Sequence, residues 1–207
     1  MKRVQKKTAG SRGSSSAKPN AIVLAGLELF THYGYRKTSI DDIARAAQVA
    51  KRTVYLHFEN KAAVFLAILE YLADQVQQRC AAAERAGSTA VDRLTGLLDA
   101  YFGMAFELFS NSEHMPELEE TFSKLARARI GDLNTEYEDR LARSLRSLEK
   151  TGAIGGPPRG LTVEQIVHML VRAAEGAKHD PQVQGDRKAL ERRLRELAIL
   201  VIAAMNK

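Results

Sequence analysis

Between Val49 and Phe58 the chain reads VAKRTVYLHF, which crowds Lys51, Arg52, Thr53, Tyr55 and His57 around two bulky apolar residues, Val54 and Phe58. Cations and hydroxyls at this density suit contact with a polyanion better than bond-breaking chemistry. On a helix advancing about 100° per residue, Val54 and Phe58 fall on one side and point inward. Arg52 and Leu56 then lie on the opposite side, flanked by Thr53 and Tyr55, with Lys51 at the N-terminus and His57 on the border. Arginine or lysine can hold guanine O6 and N7, threonine offers a hydroxyl and a methyl, and leucine can meet a thymine methyl. Tyr55 and His57 suit phosphate oxygens. The plain alternative for these ten residues alone is a solvated charged face on a packing helix.

The elements upstream decide between the two. Pro19 suits a first helical turn, and Ile22, Ala25 and Leu29 follow at helical spacing with Phe30 beside them. Gly34 is the expected left-handed stop. TSIDDIARAA then begins a second helix, with Thr38 and Asp41 in capping-box spacing and Ile40, Ile43, Ala44 and Ala47 on one stripe. A turn over Gln48, Val49 and Ala50 leads into the charged segment. A short capped helix, a tight turn and a second short helix make a helix-turn-helix, whose second helix enters a major groove.

Charge follows the same division. Of 31 Lys/Arg and 25 Asp/Glu, residues 1–60 hold eleven and four, so this end carries +7 of a total of +6 and the remainder is −1. One end is built for a polyanion, and the other has a different task. Residues 1–18, with six cations, several Gly and Ser and no acid, are expected to form a disordered basic arm. No apolar run is long enough for a membrane span, and the basic start lacks an apolar signal core, so a cytoplasmic protein is expected. Cys80 is the only cysteine and reads as a packed thiol. No Cys/His cluster has zinc-ligand spacing and no phosphate-binding glycine loop appears, so neither metal nor cofactor is expected.

The stretch from Asn20 to Leu66 resembles the N-terminal domain of the tetracycline-repressor-like (TetR) transcriptional regulators. The resemblance rests on the run ending at Phe30, then Gly34, Thr38-Ser39, Asp42-Ile43-Ala44, Val49, Thr53-Val54-Tyr55, His57-Phe58 and Lys61. It covers about a quarter of the chain. Asn20 stands where these proteins often have arginine, Gln48 replaces the usual turn glycine, Ala50 the usual Ser/Thr cap, and Arg52 a frequent glycine. With the resemblance, the expected DNA contacts are Thr38, Ser39, Lys51, Arg52, Thr53, Tyr55, Leu56, His57 and Lys61.

Nothing downstream alternates like a strand, and the whole reads as all-α, about nine helices. The expected division is a helix-turn-helix domain at 19–62 and a helical effector-binding and dimerisation domain at 63–207. Helices are expected at about 61–85, 89–109, 116–150, 162–178 and 187–205, with TGAIGGPPRG and HDPQVQGD as loops. The resemblance implies that this part dimerises and encloses a small-molecule pocket. Val167, Leu170, Leu190, Leu194, Leu197 and Val201 are the expected dimer residues, and the last helix is apolar all round at its end. Tyr101, Phe102, Met104, Phe106 and Phe109, with His168, are the pocket candidates, and Glu107, His114, Arg127, Tyr137 and Glu175 are polar residues beside apolar stripes. Gly103 and Gly176 interrupt helical patterns, compatible with close helix approach, a kink or room for a ligand.

The expected function is a homodimeric regulator, a repressor that binds a palindromic double-stranded DNA operator and is released by a lipophilic or aromatic effector. Two alternatives compete: an architectural DNA-binding protein without an effector, and an enzyme tethered by its basic end. The enzyme is disfavoured because the five histidines are scattered and no Ser/His/Asp or paired-carboxylate arrangement is visible.

Overall fold

The computed structural model describes residues 17–206, and within them the chain forms nine helices and no strand. Most of the expected basic arm therefore lies outside the described residues. Ala17 and Lys18 belong instead to the first helix, α1 (Ala17–Tyr33), so Pro19 sits inside its first turn, where no intrahelical N–H bond is lost. Gly34 at φ +82° ends α1, and its N–H returns to the Phe30 carbonyl.

Helix α2 (Ile40–Ala46) is capped by Ser39, not Thr38. The Ser39 hydroxyl accepts the Asp42 N–H, and the Asp42 carboxylate accepts the Ser39 N–H. The box is displaced by one residue because Thr38 turns inward: it is buried and donates to the Gly34 carbonyl at 2.8 Å. Helix α3 (Lys51–His57) starts at Ala50 without a side-chain cap, while Asn60 caps the long α4 (Lys61–Ala86) by accepting the Ala63 N–H. Ile22, Phe30, Ile43, Val54, Val64 and Phe65 seal α1, α2 and α3 against α4.

Helix α5 begins at Thr89 as Ala90–Leu98, passes through one π-helical stretch at Asp99–Gly103, and continues as Met104–Phe109. The glycine that ends the π turn has a visible cause. Arg187 crosses onto Asp99 at 2.6 Å over the surface of Gly103, where a Cβ would lie 2.5 Å from Asp99 Oδ1 and 2.6 Å from Arg187 Nη2. Gly103 is thus explained by close approach.

The helix expected over 116–150 is two helices, α6 (Met115–Leu125) and α7 (Arg127–Lys150), divided at Ala126 with φ −137°. Nothing in Leu125-Ala126-Arg127 forbids a helix, and Ala126 is buried at the break. Helix α8 (Val163–Lys178) carries the expected Thr162–Gln165 box, and Asp186 caps α9 (Arg187–Met205). Helices α4, α5, α7, α8 and α9 pack as one bundle around Leu94, Leu97, Phe102, Leu141, Leu145, Leu190 and Leu194.

Candidate functional site: a nucleic-acid interface and a cavity in the bundle

Helix α3 is seated by Val54, which is fully buried, and by Phe58, half-buried just past its end. The opposite side faces solvent. Leu56 is 71% exposed, and Lys51, Arg52, Tyr55 and His57 are exposed with it, while Thr53 is half-buried on the flank. Lys51 Nζ meets Asp41 Oδ2 at 2.8 Å, and that bond holds the ammonium pKa above its ordinary value. Among the described residues Arg52 makes no ion pair, so its guanidinium is available to an outside partner.

The turn before α3 contains the one non-glycine residue with positive φ among the described residues, Gln48 at +54°. Val49 then donates to the Ala44 carbonyl at 2.9 Å, which closes the turn. Ser39 stays exposed at the start of α2 while capping it.

Two expected DNA contacts have other tasks. Thr38 is buried, so its hydroxyl is spent inside the turn. Lys61 points back beneath the loop before α2, donating to the carbonyls of Tyr35 at 2.7 Å, Thr38 at 2.9 Å and Arg36 at 3.4 Å. Its ammonium also lies 4.4 Å from the centre of the Tyr35 ring. Three carbonyls engage the three N–H bonds of an ammonium, so Lys61 is a brace for the loop. Burial lowers its pKa, and Glu117 opposes that shift.

In the C-terminal bundle a cavity of about 580 Å³ opens between α4, α5, α6, α7 and α8. Tyr101, Phe102, Met104 and Phe109 line it, as do Arg127, Tyr137 and Glu175. Phe106 and His168 do not. Phe106 is buried in packing, and His168 is exposed on α8 with Nδ1 3.4 Å from Glu138, because the α8 stripe facing the core is Val163, Ile166, Val167 and Leu170. Glu107 is taken by Arg79 and Arg187, and His114 lies under Gly34.

Tyr137 forms part of the cavity floor. Its hydroxyl donates to the Leu97 carbonyl at 3.0 Å, and burial pushes its pKa well up. Tyr101 stacks on it at 4.7 Å between ring centres and donates to Asn134 Oδ1 at 3.1 Å. Burial also raises the Tyr101 pKa, with Glu175 adding to the shift and Arg172 opposing it, so both charges act at this end of the cavity.

Residues 22–68 match the family described as bacterial regulatory proteins, tetR family. That match spans most of α1, all of α2 and α3, and the start of α4. The HTH-type transcriptional regulator RutR of Escherichia coli K12 is 36% identical over 69 residues, 33% of this chain and 32% of RutR. The HTH-type transcriptional activator FasR of Mycolicibacterium smegmatis is 29% identical over 93 residues, 45% of this chain and 42% of FasR. The chain thus spans only about a third to two-fifths of the length of these two relatives. Whole-chain similarity lies in the fold. The regulatory protein TetR from Rhodobacter sphaeroides superposes with a TM-score of 0.67 at 22% identity, over 89% of this chain and 98% of that one. The FadR regulator of Bacillus subtilis, solved in complex with stearoyl-CoA, gives 0.63 at 20% identity over 89% and 98%.

Within this TetR-like fold, three features were missed wholly or in part from the sequence. The first is the set of cavity residues outside α5: Leu69, Leu72 and Val76 on α4, Phe122 on α6, Ile130, Leu133 and Asn134 on α7, and Arg172 and Lys178 on α8. Arg127, Ile130, Asn134 and Tyr137 share one helical stripe of mixed polarity, a signal that was available. The second is a bracket from α6 to the helix-turn-helix domain. Glu117 Oε1 accepts the Arg36 N–H at 2.6 Å, Glu120 pairs with Arg36 at 3.0 Å, and Phe122 packs 4.3 Å from Phe65.

The third feature is an exposed apolar face on α8 and α9. Val167, Leu170, Leu190 and Leu194 are buried within the chain, and Leu197 and Val201 are partly buried against its core, so these six chiefly hold the bundle together. The outward stripe is Met169, Ala173 and Gly176 on α8 with Ile199, Leu200 and Ala203 on α9. Met169, Ile199 and Leu200 are 50%, 47% and 66% exposed.

Proposed function

We propose that the chain is a homodimeric repressor that binds an operator through two copies of α3 and releases it when a small molecule fills the cavity. The observation that carries the reading is the seating of α3: Val54 is buried while Arg52, Tyr55 and Leu56 project from the cationic end of the chain. We assign the helix-turn-helix unit to 19–62 and the effector and dimer unit to 63–207. Lys51, Arg52, Thr53, Tyr55, Leu56 and His57, with Ser39 at the start of α2, form the proposed DNA surface. Arg52 and Leu56 face base edges, and Tyr55 and His57 face phosphates.

The dimer would join α8 and α9 to the same pair of a second copy through their outward stripe. Ile199 and Leu200 then leave water, and Gly176, which has nothing within 4 Å of a Cβ position in one chain, admits a partner helix closely. A two-fold dimer sets its recognition helices about 34–36 Å apart, the spacing of successive major grooves.

Coupling would run through α6. One face of this helix meets the cavity at Phe122 and Ser123, and Glu117 and Glu120 grip Arg36 beside the helix-turn-helix. A ligand that favours a shifted α6 would move that grip and the α4 brace at Lys61 together. It acts only through different affinities for the two conformers. The solved FadR complex with stearoyl-CoA supports a small-molecule role for this fold.

The test is a binding selection on random duplexes followed by Arg52→Ala on the recovered site. Specific binding should weaken by roughly 1–3 kcal/mol while random DNA is affected less. Equal losses on both would remove Arg52 as a base reader, and failure to enrich any site would favour the architectural alternative.

A further inference from the structure

We propose that the cavity takes an amphipathic acid, its anionic head at the Lys178 end and its apolar chain between α4, α6 and α7. This rests on the reading of the cavity as the effector site. The two ends of the cavity differ in chemistry. At one end stand Lys178, Arg172, Tyr101, Asn134 and a single acid, Glu175. Lys178 Nζ pairs with Glu175 Oε1 at 2.9 Å and lies 5.8 Å from the centre of the Phe102 ring, with its side chain only 20% exposed. Its ammonium keeps N–H bonds for a second acceptor, and the Asn134 amide, whose oxygen is taken by Tyr101, keeps its two donors.

Arg172 faces Glu138 at 3.8 Å, and Glu175 also meets His179 at 3.6 Å. Within the lining, this end holds two cations and one carboxylate. At the other end Arg127 and Glu119 balance each other, with Ser123 bonded to Arg127 at 3.0 Å, and Gln77 on the wall is occupied by Arg140. Glu138 answers Arg172 from outside the lining, so Lys178 and the Asn134 amide are the donors left at the Tyr101 end. A carboxylate accepts several N–H bonds there, whereas a cationic ligand offers them no acceptor. Leu69, Leu72, Val76, Phe122, Ile130 and Leu133 form the remaining wall, which offers an unbranched chain no polar partner.

The test is calorimetry on the full-length protein without DNA, titrated with decanoate, decanol and decyltrimethylammonium, each below its micelle-forming concentration. Decanoate should bind at least about tenfold more tightly than decanol, and the ammonium compound most weakly. Each added methylene on the acid should tighten binding about fourfold until the wall is filled. Lys178→Gln should bring decanoate to the level of decanol without changing decanol itself.

Equal binding of acid and alcohol, a preference for the ammonium compound, or no binding by any of the three overturns the proposal. An acid preference that survives Lys178→Gln overturns the placement of the head. Operator release is measured separately on the same samples. Decanoate that binds but leaves the operator complex intact upholds the ligand class and removes the regulatory reading. Release by other compounds without any acid preference removes the class alone.

Discussion

Gln48→Gly should make the protein more stable, although it deletes a side chain. Gln48 holds φ at +54° in the turn between α2 and α3, a region where a Cβ crowds the neighbouring carbonyl. That conformation costs a non-glycine residue roughly 1–2 kcal/mol. The side chain is exposed and makes no hydrogen bond among the described residues, so its removal sacrifices little. The turn's own bonds, from Gln48 N–H to the Arg45 carbonyl and from Val49 N–H to the Ala44 carbonyl, belong to the backbone and persist. Against the relief stands the extra freedom that glycine gives the unfolded chain, about 0.4–1 kcal/mol. The net gain is about 0.5–1 kcal/mol, or roughly 1–4 °C in Tm for a chain of this size. The assay is thermal and urea unfolding followed by far-UV circular dichroism at one fixed protein concentration, because dimerisation would make Tm concentration-dependent. Gln48→Ala is the control: alanine keeps the penalty and should not share the gain. A glycine variant no more stable than the parent, or an alanine variant equal to it, refutes the strain argument.

Lys61→Met should cost about 1–3 kcal/mol of stability, because three carbonyls lose their donor, while the salt dependence of DNA binding stays unchanged. A slope reduced by about one would return Lys61 to the phosphate contacts. Ile199→Glu combined with Leu200→Glu should convert the proposed dimer to monomer in sedimentation velocity with helicity intact; a dimer that persists places the interface elsewhere. Asp92, held by the Thr89 hydroxyl, Arg195 and Ser88, has its pKa lowered from 3.8 to about 2. Because the folded value is depressed, its contribution is complete above the ordinary carboxylate range and disappears as pH falls from about 4 to 2. Asp92→Asn should flatten the stability profile across that window, and an unchanged profile would discount the triad of partners.

Local sequence determined the first three helices and the outward face of α3. Their signals act over a few residues: Gly34 can adopt positive φ, Ile43 and Ala44 fall on one stripe, and Val54 and Phe58 fix the rotation of a helix only two turns long. The charge division also belongs to the chain alone, since burial does not change which residues carry charge. Tertiary structure decided what those signals leave open. Thr38 and Ser39 were equally suited to cap α2, and packing beneath Gly34 drew Thr38 inward. Lys61 looked free until the loop from Tyr35 to Thr38 was seen to bring three carbonyls over it.

The same holds at the other end of the molecule. Helix α9 is apolar on more than one side, so its sequence could not say which side meets its own bundle and which remains outside. Contact with α5 and α8 turned Leu190 and Leu194 inward and left Ile199 and Leu200 on the surface. The cavity likewise needed five helices in place before Phe106 and Phe109, three residues apart, could be told apart as packing and lining. A helical pattern records that a face must be covered, and only the neighbours determine what covers it.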